Sequence, residues 1–414
     1  MPKITVLGAN AQVITIPFTE SAPIALARKL AGSITAAVKA HTLTAYSGLN
    51  GPPPPLPPGT VGEFVVQTAA PTLLSPGYDA VVVDFPNSFV LGSGDNGESV
   101  LSGTGGLTFL APAGSGTVVA AGGTNDIVIS PGSTGPWLIA TGAGDDTILA
   151  DGIGNDTIQA GGGHNRVVLG AGNDVVRLSG FDTVSAGAGS TTIDASHART
   201  ANIQGGTGNL LFIGSEGAAT VTGGTGSLTV FGGEGRLDAQ GGSAGNNLLR
   251  AGEGAATLSG GGNGDRLYAG GERQVLIAGS GNETLSAARH DTLYGGSGNT
   301  QMVGGRQDNT FVAGTGAATM TGGHGEDIFV FIDGSAGGQD LIAGFHAGDL
   351  INLKGYGTGA VQAALKTETV GPNGVTITLS DSTSITFTGL TSLNQSAFVG
   401  FAGDHGFNCG GGHD

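Results

Sequence analysis

The chain has 414 residues, of which 82 are glycine and one is cysteine, and it carries a net charge of −17. Glycine normally makes up roughly 7% of a globular chain, so this composition excludes an ordinary helical domain. The acidic balance argues against nucleic-acid binding, which needs clustered Lys and Arg. A lone cysteine, Cys409, excludes an internal disulfide framework.

Apolar residues make up 38% of the sequence, enough for a thin core in a chain that turns often. The acidity also suits a cation-binding protein. The opening Met1 to Gly8 is too short and broken for a secretory signal, and no apolar run is long enough to span a membrane. The expectation is a chain that is either cytosolic or exported by a route that needs no N-terminal signal.

Residues 1–50 form a segment of their own. Ile4 to Phe18 contains strand-like stretches, including Val13 to Ile16. Residues 20–40 place Glu20, Ile24, Ala27, Leu30, Ala31, Ile34 and Val38 at helical spacing, which predicts a helix. This element is expected to act as a cap or a contact between copies, and the strands could pair with another protomer. Residues 51–60 (Gly51 to Gly59 and Thr60) are proline-dense and read as a stiff linker. Residues 61–106 are irregular and strand-rich, as at Ala80 to Phe85, and read as an N-terminal cap.

From Leu107 to 335 a nine-residue beat takes over, G-G-x-G-x-D-x-U-x with U apolar. Its clearest copy is Gly322-Gly323-His324-Gly325-Glu326-Asp327-Ile328-Phe329-Val330. A unit this short cannot bury a core alone and must stack on its neighbours. Six residues make a turn and three make a short strand whose middle side chain points inward, so two units make one coil. Two residues after each sixth position lies an apolar residue, for example Leu138, Ile148, Ile158, Val167, Val176, Ile277 and Phe329. The fold class that follows is all-β, a parallel β-roll or β-solenoid, with a short helix-containing N-terminal segment and a C-terminal β cap.

Alternate units turn on opposite edges of such a roll. One edge is expected to carry Asp126, Asp146, Asn165 and Asp182, and later Asp291, Asn309 and Asp327. The other carries Asp156 and Asp174, and later Asp265 and Glu283. Between 191 and 256 no acid holds the sixth position. Carboxylates in one slot of adjacent coils repel unless a cation lies between them. Calcium, with six to eight oxygen ligands, suits turns rich in backbone carbonyls. The candidate metal ligands are therefore Asp126, Asp146, Asp156, Asp174, Asp182, Asp265, Glu283, Asp291 and Asp327. The acid-free middle should hold by packing alone.

These residues resemble the RTX (repeats-in-toxin) family, with Gly142 to Ile148 and Gly170 to Val176 as good copies of its nonapeptide. The resemblance covers roughly residues 100–400. Residues 336–400 read as a C-terminal cap and secretion region. Within them, Gly338 to Leu353 looks like the closing segment of serralysin-type C-terminal domains, and Val375–Leu379 with Ser384–Gly389 reads as a hairpin. The resemblance implies a calcium-bound parallel β-roll, export by type I secretion machinery that reads the C-terminus, and folding outside the cell. The glycine-rich tail 401–414 and the acid-free middle depart from the family pattern.

No catalytic set emerges. There is no H-E-x-x-H pair. Gly241-Gly242-Ser243-Ala244-Gly245 matches G-x-S-x-G only as a repeat turn, and His405, Cys409 and His413 form at most a weak metal set in the tail. The expectation is a non-enzyme, a secreted calcium-binding structural solenoid that self-assembles as a homo-oligomer or polymer at a surface or in a matrix. The alternatives are an adhesin binding cell-surface glycan, with exposed threonines such as Thr220, Thr229 and Thr257, or a carbohydrate-active β-helix enzyme.

Overall fold

A computed structural model describes residues 2–18, 23–103 and 105–399. The predicted Glu20, and the tail with His405, Cys409 and His413, lie outside these residues. The chain divides into two compact units, Met1–Ala256 and Thr257–Asp414. Both are built almost wholly of short parallel strands, with one α-helix among the described residues of each, Ile24–Lys39 and Ala360–Lys366. The β-solenoid expected from the repeat is the observed architecture.

In the first unit the strands alternate between two parallel sheets. One sheet stacks strands such as Trp137–Ala143, Thr157–Gln159, Asp174–Arg177 and Thr191–Asp194. The other stacks Asp126–Ile129, Thr147–Ala150, Arg166–Leu169 and Phe181–Ser185. Register is kept by side-chain identity. Ile139, Ile158, Val176 and Ile193 are mutual partners in the first sheet, as are Ile127, Ile148, Val167 and Val184 in the second, and all are fully buried. Each such burial contributes roughly 1.5–3 kcal/mol, and a one-residue slip would turn every inward side chain to water. That cost is why the inward column, more than the glycine pattern, sets the frame.

Two sequence expectations shift by one residue for this reason. Leu138 and Ile277 are only half-buried, and the inward residues are Ile139 and Leu276. The stacking also begins earlier than the beat. Strand Thr44–Ser47 pairs in parallel with Gly62–Val66, which pairs with Tyr78–Val83 and then Asn96–Ser102. Residues 61–106 are therefore coils in their own right. The proline-dense passage joins two adjacent strands of one sheet. It is tied down where the Tyr78 hydroxyl donates to the Pro54 carbonyl at 2.7 Å.

The N-terminal strands are an antiparallel hairpin, Lys3–Leu7 against Val13–Pro17. They pair with each other as a two-stranded sheet. Helix Ile24–Lys39 buries Ile24, Ala27, Ala31 and Ile34, one face at helical spacing. Hairpin and helix together pack on the outer face of the first sheet, over Val65, Ala80, Val82, Leu101 and Val119. They form a lateral cover on the coils.

In the second unit the same two-sheet plan runs through Leu267, Leu285, Met302 and Met320 on one side and Leu276, Leu293, Phe311 and Phe329 on the other. Phe311 and Phe329 stack at 5.0 Å between ring centres. The expected hairpin is present as Gly374–Thr378 against Ser384–Thr388. Its second strand continues the sheet by pairing with Gln339–Ala343.

Candidate metal-binding turn edges

The slot that precedes an inward apolar residue by two positions is buried in most coils, and its occupants form rows along the turns. On one edge of the first unit the row runs Leu107, Asn125, Asp146, Asn165, Asp182 and Ala201. Asp126 is outside it: that side chain is exposed and Asn125 is buried in its place. The cause is again the strand alternation, which puts 125, 127 and 129 on one side and 126 on the other. On the opposite edge the row includes Trp137, Asp156, Asp174 and Thr191. Asp146, Asp156, Asp174 and Asp182 are all at most 2% exposed.

The occupants bind each other through the backbone. The amide of Asn125 donates to Asp146 Oδ1 at 2.8 Å, and that of Asp146 to Asn165 Oδ1 at 3.1 Å. Trp137 N donates to Asp156 Oδ1, and Asp156 N to Asp174 Oδ1, both at 2.8 Å. In the second unit Gln274 N donates to Asp291 Oδ1, Asp291 N to Asn309 Oδ1, Asn309 N to Asp327 Oδ1 and Asp327 N to Asp349 Oδ1, at 2.8–3.0 Å. An Asn does this work as well as an Asp. Asn side chains add donors of their own, Asn125 Nδ2 to Asp146 Oδ1 at 2.8 Å and Asn165 Nδ2 to Asp182 Oδ1 at 2.7 Å.

This ladder changes the electrostatic argument. On the first edge Asn separates the carboxylates, so Asp146 and Asp182 are not neighbours. Among the described residues, adjacent acids in these rows are Asp79 with Glu98, Asp156 with Asp174, Asp265 with Glu283, and Asp327 with Asp349. Burial pushes the carboxyls up in pKa, Asp156, Asp146, Asp182 and Asp327 to about 6 and Glu283 to about 7. A neighbouring acid adds to the rise at Asp156, Glu283 and Asp327. Asp174 and Asp291 are raised by burial as well.

The second oxygens divide the acids further. Those of Asp182, Asp265, Asp291 and Asp349 accept amides of their own turns. Asp146 Oδ2, Asp327 Oδ2, Asp340 Oδ2 and Glu283 Oε1 are buried with no hydrogen-bond partner. A carboxylate with one oxygen committed and one unsatisfied fits a monodentate ligand for a hard cation. Glu283 and Asp327 combine this with an acidic neighbour. Among the described residues no three His, Cys, Asp or Glu side chains gather round one point, so an ion here would rely on one or two carboxylates and turn carbonyls.

The sequence pattern missed Asp340 and Asp349. They follow coils of 22 residues instead of the usual 17 to 19, which breaks the count of nine. The apolar middle is as expected: Leu210, Leu228 and Leu237 fill the slot, each at most 3% exposed. The glycines serve mainly close approach. A Cβ on Gly161 would lie 2.0 Å from the Gly142 carbonyl of the neighbouring coil.

The other sequence candidates do not assemble. Thr220 lies between Asn202 and Asp238 on one sheet, and Thr229 between Leu211 and Leu248 on the other, so neither belongs to a threonine row. Thr257 pairs with Val275. Trp137 is 1% exposed and offers no face to a sugar. Ser243 sits in a turn between strands Leu237–Gln240 and Leu248–Arg250, not on a strand-to-helix elbow. No family model, curated protein or solved structure matches this chain.

Proposed function

We propose that this protein is an extracellular structural or adhesive β-solenoid whose acidic turn edges take up calcium. The observation that carries the calcium reading is an unsatisfied buried oxygen, Glu283 Oε1 or Asp327 Oδ2, beside a second buried acid, Asp265 or Asp349 respectively. Two buried carboxylates about 4.8 Å apart in adjacent coils stabilise the fold only when protonated or neutralised by a cation. Turn carbonyls, together with Glu283 and Asp327, would hold the ion, which would supply the missing positive charge. The Asp156–Asp174 pair is the corresponding candidate in the first unit.

The scaffold reading rests on the near-complete use of the chain for stacked coils. Strand Thr44–Ser47 has a single strand partner among the described residues, Gly62–Val66, and so presents an edge at which copies could add end to end. Folding outside the cell belongs to the same reading. Where calcium is scarce the acid pairs disfavour the coils, and sites of about 10⁻⁴–10⁻³ M affinity fill outside the cell.

Calcium titration of chelated protein, followed by β-sheet circular dichroism and calorimetry, tests this. Glu283→Gln and Asp327→Asn should move the calcium midpoint to higher concentration. Asn247→Ala should destabilise the fold without moving it, because Asn247 accepts from Leu228 N and Gly242 N and donates to Gly242 O in the acid-free middle. No heat of binding and no spectral change at millimolar calcium would end the calcium reading. Electron microscopy of the same samples then separates monomer from filament or layer.

A further inference from the structure

Glu63 lies on strand Gly62–Val66 with 0% of its surface exposed, and neither carboxylate oxygen has a hydrogen-bond partner. It shares the outer face of its sheet with Val65, two residues on, and with Ala80, its partner in the next strand. Val65 and Ala80 belong to the apolar cluster that joins this face to the N-terminal hairpin and helix. At the same interface a Cβ on Gly8 of the hairpin would meet Val65 at 3.0 Å.

The charges nearby do not compensate. Lys3 on the hairpin and Arg28, Lys29 and Lys39 on the helix are exposed, and strand Val13–Pro17 and strand Thr44–Ser47 carry no charge. On the neighbouring strand Asp79 is half-buried, and Asp84 beyond its end is exposed. Both are acids and cannot balance a carboxylate. Burial is the whole cause of the elevation of the Glu63 carboxyl, to about 8.

We propose that Glu63 makes the N-terminal hairpin–helix cover a pH-released lid, closed while its carboxyl is protonated and opened when that proton is lost. A neutral acid tolerates the apolar interface, whereas a carboxylate without partner or counter-ion is strongly disfavoured there. Opening returns Glu63 to water and uncovers the sheet face that holds Val65, Ala80, Val82, Leu101 and Val119.

The sign follows from linkage. The closed state binds the proton more tightly than the open one, so closure is unaffected below about pH 4.5 and weakens as pH rises towards 8. The opening constant should grow about tenfold per pH unit over that window, up to roughly a thousandfold, and then level off.

Hydrogen exchange with mass spectrometry on the full chain, at fixed calcium, reads this locally. The ratio of the opening constant of residues 3–39 in wild type to that in Glu63→Gln cancels the intrinsic pH dependence of exchange. It should be near one at pH 4 or below and rise steeply towards pH 8, while the ratio for the central coils 201–250 stays flat. Glu63→Leu serves as a second reference and should remove the pH dependence too. A wild type that tracks both variants at every pH overturns the proposal, and so does a rise shared equally by the central coils.

Discussion

Replacing Asp146 separates the ladder function of the slot from its charge. Its Oδ1 accepts from both Asn125 N and Asn125 Nδ2 at 2.8 Å, its Oδ2 is buried and unpaired, and its side chain is almost fully enclosed. Burial raises its pKa from 3.8 to about 6. Because the folded-state value is the higher one, the associated stability is fully present below about pH 3.8 and is lost as pH rises through 6. At pH 7 without calcium the ionised group therefore costs about 3 kcal/mol. Asp146→Asn removes that cost and keeps an acceptor for the Asn125 amide, at the loss of about 1 kcal/mol from the second, charge-assisted bond. The variant should gain about 2 kcal/mol in chelator at pH 7 and lose that advantage by pH 4. Asp146→Ala removes the same cost but leaves two donors short of an acceptor, so it should lose about 1–3 kcal/mol at pH 4 and stay below Asp146→Asn at pH 7. Urea unfolding followed by circular dichroism, with chelator, measures both. If Asp146→Asn is as damaging as Asp146→Ala at pH 7, the slot is not the hydrogen-bond ladder described here.

Three other substitutions probe the scaffold. In Gly187→Ala the new Cβ would lie 1.5 Å from the Gly170 carbonyl, so the variant should lose more than about 2 kcal/mol and show early exchange in coils 170–190. Phe329→Ala removes one half of the buried Phe311–Phe329 stack and should cost about 3–5 kcal/mol in thermal unfolding of the second unit. Tyr78→Phe deletes the hydroxyl bond to Pro54 and should cost about 1 kcal/mol, with protease cleavage near residues 52–58 rising while the central coils stay protected.

Much of the candidate site was legible because the repeat is a physical constraint and not only a pattern. Asp146, Asp156, Asp174, Asp182, Asp265, Glu283, Asp291 and Asp327 all occupy the buried slot that their spacing gave them. Asp126 was misplaced because the coil from Asn125 to Asp146 has 21 residues, and a rule counted from glycines cannot tell which of Asn125 and Asp126 turns inward. Asp340 and Asp349 escaped notice for a similar reason. Glu63 was invisible in principle, since a single acid on a strand gives no sign that it will be fully buried without a partner.

The sequence by itself determined the coil. Glycine at the close approaches and one apolar side chain per short strand leave a stacked parallel solenoid as the way to bury that surface. It also determined that the middle coils hold without acids, because leucine in the slot needs no counter-charge. Only the tertiary structure decided how the acids are used. Whether a carboxylate meets an asparagine, another carboxylate or a backbone amide depends on which residue of the adjacent coil falls beside it. Those residues are 17 to 22 positions away and are fixed by the inward packing register.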